Sequence, residues 1–430
     1  MLHATISGER ETALRPLRCQ ILLLALIAFG VLHGSVGTAS DWPQFLGPTR
    51  NGISVETGLL DTWPTDGPKE TWRVRGGVGM SGLVICGGML TTLIQENGEQ
   101  FVTALNPETG EPMWKTAVAP DYRNNMGHGP RATPTIAGES VYAFTGQGIL
   151  VALNLKSGKI RWTRNLVREL NARPAEYGMA CSPLVVGNQV IVTIGAPRAA
   201  VVACDSKTGR QLWTAGRDAT GYSSPALLKV DGTSQIVVCT GSSVVGLKSG
   251  TGAALWRYPY ETDYDCNIAT PISINGEVFV SSGENHGSVL LNLAPSGKSF
   301  EVSEVWSSNG ASSVMRNEWQ TSIHLGDHLY GMDNVGGAGP ITHLSCLEAA
   351  TGKRVWQAAR FGKGNLIAAD GKLIIATVRG ELVLVEASPN GFNELARAKV
   401  FSGSRTGPAL ANGRLYLRDN KEIVCLDLRK

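Results

Sequence analysis

The stretch A-L-N-L-K-S-G-K-I-R-W, Ala152 to Trp162, decides how this chain is read, because the chain contains further copies of it. A-L-N-P-E-T-G-E-P-M-W runs from Ala104 to Trp114, A-C-D-S-K-T-G-R-Q-L-W from Ala203 to Trp213, G-L-K-S-G-T-G-A-A-L-W from Gly246 to Trp256, and C-L-E-A-A-T-G-K-R-V-W from Cys346 to Trp356. In each, a Gly sits four residues before a Trp. A looser copy ends at Trp306, and another, around Glu386 to Ala398, lacks the Trp. The residues that open each copy alternate apolar with polar, the pattern of a half-buried strand. The Gly supplies a turn position with positive φ. One large ring per unit, at a fixed place, is expected to plug the space between neighbouring units.

Working outward, an orphan strand with Trp72, Lys69 to Arg75, has no repeat body before it. At the other end, Gly407 to Leu428 holds three strand-like pieces and stops without a Trp strand. The two complement each other, as when a ring of sheets closes on itself. Seven units lie between them, near 80–118, 131–166, 180–217, 223–260, 268–309, 319–360 and 364–400, and the composite makes eight. Successive Trp residues from Trp72 to Trp356 stand 42 to 51 residues apart, the period of a four-stranded propeller blade. The fold predicted is all-β: an eight-bladed β-propeller of four-stranded antiparallel blades, closed by the N-terminal strand. A seven-bladed ring is the alternative if one weak unit is loop. The second unit should hold strands at Ala132–Ile136, Val141–Thr145, Leu150–Asn154 and Lys159–Asn165.

Residues 1–40 read as an export signal. Arg10, Arg15 and Arg18 precede the apolar run Ile21 to Leu32, and small residues follow to Ser40. That run is short for a membrane span, which needs about 20 residues, and Cys19 precedes it. The expectation is secretion across the inner membrane to the periplasm or cell envelope. Residues 41–68 read as an extended segment lying on the fold, and 69–430 as the propeller. Seven cysteines remain after the signal, an odd number, so at least one is unpaired within the chain. Cys204, Cys346 and Cys425 are read as sharing one repeat position as small buried hydrophobes. Charged residues make up 17% of the 430 and the net charge is +3, with no basic stripe, which argues against a nucleic-acid partner.

The pattern A-L-D-x-x-T-G-x-x-x-W resembles the repeat of the pyrroloquinoline quinone (PQQ)-type propellers, over nearly all of residues 70–430. W-P-Q-F-L-G-P-T-R-N-G at Trp42, G-P-R-A-T-P at Gly129–Pro134, G-Y-S-S-P at Gly221–Pro225 and F-G-K-G-N-L-I at Phe361–Ile367 are similar to secreted BamB-like proteins of planctomycete-type bacteria. The resemblance implies an envelope propeller that binds a protein partner, with peripheral outer-membrane association and no reaction of its own. Its other branch, the quinoprotein alcohol dehydrogenases, implies PQQ with Ca²⁺, oxygen ligands and adjacent cysteines. No Cys-Cys pair occurs here. Asp263, Asp265 and Asn267, Asn317 and Glu318, and Asp333 and Asn334 are the oxygen donors to consider, but they match no such pattern residue by residue. His324 and His328 lie four apart in a strand-and-turn context, where that spacing does not share a face. No catalytic residue and no metal ligand is assigned.

By repeat phase, the segments leading into the innermost strands contain Arg131, Tyr222, Asn267, Asn317, Lys363 and Arg405. These are the candidate binding residues, at one mouth of the channel, for an anionic or polar ligand or an extended peptide. Trp72, Trp114, Trp162, Trp213, Trp256, Trp306 and Trp356 are read as packing between blades.

Overall fold

A computed structural model describes residues 40–310, 312–337 and 340–430. The proposed signal therefore lies outside the described residues, except for Ser40. Eight four-stranded antiparallel sheets follow one another along the chain. Blades 1 to 7 span 84–120, 135–165, 184–215, 226–259, 272–309, 323–358 and 364–399. In each, four consecutive strands pair in chain order. Blade 8 is composite, as the ends of the chain predict: Ala409–Ala411, Arg414–Arg418 and Glu422–Asp427 are completed by Lys69–Arg75, with Trp72 opposite Cys425. The first strands of neighbouring blades touch around the ring and so line the centre.

Each repeat Trp stands on the outermost strand of its blade, beside a bulge, opposite one fixed position of the third strand. Ala152 faces Trp162, Ala104 faces Trp114, Cys346 faces Trp356 and Cys425 faces Trp72. Cys204 does not share that position. It lies one residue further along, after Ala203, which faces Trp213. All seven cysteines in the described residues are free thiols.

The turn Gly and the Trp form one device across two blades. Gly158 of blade 2 has φ +67°, and a Cβ there would lie 2.5 Å from the ring of Trp114 in blade 1. Gly209 of blade 3 approaches Trp162 of blade 2 in the same way. The indole N–H then donates to a carbonyl of the same turn: Trp114 to Leu155 (2.8 Å), Trp162 to Ser206 (3.0 Å) and Trp306 to Ala349 (2.9 Å). Trp213 departs from this, donating to Gln189 Oε1 of its own blade at 2.9 Å although Gly252 of blade 4 lies against its ring, and so do the weaker repeats. Blade 5 has a long outer hairpin in place of the tight turn, and Trp256 donates within its own blade to Gln235 Oε1 at 2.7 Å. In blade 7, Phe392 meets Trp356 with ring centroids 5.9 Å apart.

Half-buried alternation does not describe the middle strands. Ser140–Phe144 is buried throughout and Ile149–Asn154 along its centre, because each sheet is sandwiched between two others. The innermost strand of the second unit is shorter than predicted: Thr135–Ala137 spans three residues.

Residues 40–60 do not lie on the fold but thread its centre. Trp42 forms an antiparallel bridge with Ile85 of blade 1, and Ile53 a parallel bridge with Ala368 of blade 7. The segment thus runs against one innermost strand, turns at about 44–50, and returns alongside another. Its two legs meet where Ser40 Oγ donates to Glu56 Oε1 at 3.0 Å. At the turn, the buried Arg50 guanidinium donates to the carbonyls of Ser182 (2.6 Å) and Pro183 (2.9 Å) of blade 3. On the far side, Leu60 N–H donates to Leu428 at 2.7 Å. Trp63 continues into the core cluster that includes Ala396, the residue at blade 7's vacant Trp position.

Candidate functional site at the channel mouth

The tip of this threaded loop is the floor of a cavity of about 450 Å³ at one end of the channel. Trp42, Phe45 and Leu46 form the floor, with Leu83 and Ile367 from innermost strands or their approaches. The walls are the segments that precede the innermost strands, and every blade contributes. This is the face the repeat phase selected. Its lining is mainly apolar and aromatic, not the polar surface expected, because the floor comes from outside the repeat.

Of the six candidates, three line the cavity: Arg131, Tyr222 and Arg405. Arg131 is half-buried, and its guanidinium donates to the carbonyls of Tyr177 (2.6 Å), Gly127 (2.7 Å) and Gly129. It stacks 4.5 Å from the Tyr122 ring, and burial holds its pKa below the usual arginine value. Arg131 therefore fastens the loops of blades 2 and 3. Tyr222 stacks on Tyr177 at 5.7 Å, and its hydroxyl accepts from the Tyr177 N–H. Arg405 is exposed, with its guanidinium 4.7 Å from the Trp319 ring and one N–H donating to Met126 at 3.0 Å.

Lys363 stands at the rim, 4.5 Å from the same Trp319 ring and 2.6 Å from the Glu318 carboxylate. Burial raises the Glu318 pKa against the opposing pull of Lys363. Asn267 and Asn317 lie behind the wall, fully buried. The Asn267 carboxamide donates to the carbonyls of Thr240, Gly241 and Tyr260 and accepts from Thr262 and Ser282. Asn317 donates to Met332 and accepts from Ser322. Both tie blade ends together and offer nothing to a ligand.

Sequence reasoning missed the floor residues Trp42, Phe45 and Leu46, and Trp319 and Tyr177 in the walls. The available signal was two large rings, Trp42 and Phe45, standing in a Pro- and Gly-rich stretch outside the repeat.

A model of the family described as outer membrane protein assembly factor BamB matches residues 98–358 and 340–430. The chain belongs to this PQQ-repeat family. It is 22% identical to the outer membrane protein assembly factor BamB of Yersinia pestis over 342 residues, 75% of this chain and 81% of that one. The Bordetella pertussis BamB is 23% identical over 365 residues, covering 83% and 86%. Among solved structures, BamB of Moraxella catarrhalis superposes with a TM-score of 0.57 at 14% identity, covering 84% of this chain and 97% of that one. The quinohemoprotein alcohol dehydrogenase of Comamonas testosteroni does so at 0.65 and 12%, covering 91% and 81%. At these identities the structural likeness shows the propeller fold alone.

The quinoprotein branch raises the question of whether these residues suit a quinone with calcium. They do not. Calcium takes six to eight oxygen ligands, yet the oxygen donors here do not converge, and Asp333, Asn334, Asn267, Asn317 and Glu318 are engaged within the protein. Asp333 is buried in an ion pair with Arg316, 2.7 Å apart. Ahead of blades 5 and 6, Asn267 and Asn317 use their carboxamides internally. Among the described residues, no three His, Cys, Asp or Glu side chains converge.

Proposed function

We propose that this BamB-like propeller is an exported protein of the cell envelope that acts by holding a protein partner over the mouth cavity, in outer-membrane protein assembly. The observation that carries the reading is the cavity itself. Eight blades converge on one apolar cup with Lys363 and Arg405 at its rim, while Asn267 and Asn317 behind the wall are spent on holding blade ends together. Such a surface is built to bind. The family's description, outer membrane protein assembly factor, supplies the process. Arg405, Lys363 and Tyr222 are the candidate contact residues, and Arg131 positions the wall.

Deletion of the gene tests this, with the folded β-barrel proteins of the outer-membrane fraction as readout. A fall in their level, restored by the wild-type chain, is expected. Unchanged levels, or dye reduction by the purified chain supplied with PQQ and Ca²⁺, would sink the reading.

A further inference from the structure

We infer that the cavity receives the tip of a partner loop carrying a large aromatic side chain flanked by a carboxylate; this rests on the partner-binding reading above. Three observations lead there.

The ring already holds one peptide tip in cis. Residues 40–56 enter from the opposite face, turn beneath the cavity and leave the same way, with Trp42 only 2% exposed. What remains above is an apolar cup of about 450 Å³, the size of pockets that take a compact apolar group. Its walls, the Tyr177–Tyr222 stack and Trp319, suit a ring in offset or edge contact.

The rim sets the charge. Lys363 and Arg405 both lie against Trp319, at 4.5 and 4.7 Å. Two cations on one indole disfavour a third. Lys363 is matched by Glu318, and the other acids, Glu284, Glu176 and Asp265, gather around Cys266 and Tyr177, away from the Trp319 side where Arg405 stands. Arg405 and Arg131 complete the set, and Arg405 is the exposed cation. A carboxylate beside the incoming ring meets its guanidinium.

Gln320 supplies an acceptor. It lines the cavity and is 4% exposed. Its carboxamide nitrogen donates to Met332 at 3.0 Å, and its buried Oε1 has no donor among the described residues. Buried acceptors are normally satisfied, and an indole or backbone N–H on the incoming tip would do so once the carboxamide turns its oxygen toward the cavity.

The probe is a fluorescein-labelled cyclic peptide with the tip Glu-Trp-Glu, titrated by anisotropy into the purified protein. Saturable one-to-one binding is expected. Arg405→Glu and the cavity-filling Ala180→Trp should each weaken it at least about tenfold, with the melting temperature of Arg405→Glu unchanged. Peptides with Lys-Trp-Lys or Glu-Ser-Glu tips should bind at least about tenfold more weakly. Absence of saturable binding, equal binding of the Lys peptide, or indifference to Arg405→Glu would overturn the inference. In the deletion strain, failure of Arg405→Glu to restore the β-barrel proteins supports the cavity as the partner's seat. Full restoration by that variant would overturn the cavity assignment and leave the partner reading standing.

Discussion

Gly209 of blade 3 lies flat against the indole of Trp162 in blade 2, so close that a Cβ on the glycine would come within 2.8 Å of the ring. The Trp162 N–H donates 3.0 Å to Ser206, three residues before that glycine. One turn thus supplies both the surface that stacks on the ring and the acceptor that satisfies its only donor. The stacking of a turn Gly on the preceding blade's Trp recurs at Gly110, Gly158, Gly252 and Gly352, and those blades are joined through it.

Removing either side should therefore destabilise the ring. Trp162→Ala is expected to cost about 3–5 kcal/mol, as large truncations in packed cores do. Gly209→Ala, forced into positive φ against a ring, is expected to cost about 1–3 kcal/mol. Urea unfolding checks both, and the pair should be less than additive because the residues share one contact.

The buried and exposed members of the mouth should behave in opposite ways. Asn267→Ala leaves the carbonyls of Thr240 and Tyr260 without their donor and is expected to lose about 2–3 kcal/mol. Arg405→Ala removes an exposed side chain and is expected to stay within about 0.5 kcal/mol of wild type. Arg131→Ala, which frees three loop carbonyls, should resemble Asn267→Ala. Thermal melts of the three variants give the comparison.

The threaded loop should be held chiefly by Arg50. Its guanidinium is fully buried and its pKa is lowered to about 10 by that burial. Arg50→Ala removes two charge-assisted hydrogen bonds to blade 3, each worth about 1.5–3 kcal/mol. Limited proteolysis within residues 41–60 should become at least about tenfold faster, while cleavage elsewhere is unchanged.

Histidines give the pH response. His286, His324 and His343 all have folded pKa values lowered from 6.5, chiefly by burial. The unfolded chain then binds more protons than the folded one below about pH 6.5, so stability falls as pH drops through that value toward the lowered folded pKa values. His324→Phe removes one such group, whose Nε2 is buried without a partner among the described residues. The melting temperature of this variant is expected to decline less than that of wild type between pH 7 and 5.

The ring was legible from local features. A Gly four residues before a Trp needs only a tight turn between two strands, and one orphan strand early in the chain with three unfinished ones late in it complete a sheet only in a closed circle. The repeat phase also located the mouth, because the segment before each innermost strand falls on the same side in every blade. What it could not give was direction within that face. Asn267 and Arg405 occupy related places in the phase, yet one carboxamide turns inward to bind carbonyls of the preceding blade and its exit, and the other side chain reaches solvent over Trp319.

The sequence by itself determined the number of blades, their joining through Gly and Trp, and the closing strand, because each rests on contacts within a blade or between successive ones. Only the tertiary structure decided what fills the centre. The innermost strands of blades 1, 2 and 7 and the segment leading into blade 3 come together around residues 40–60 only when the circle is complete. No local pattern announces that Trp42 and Arg50 will lie among them, and so the floor of the site was visible only in the folded ring.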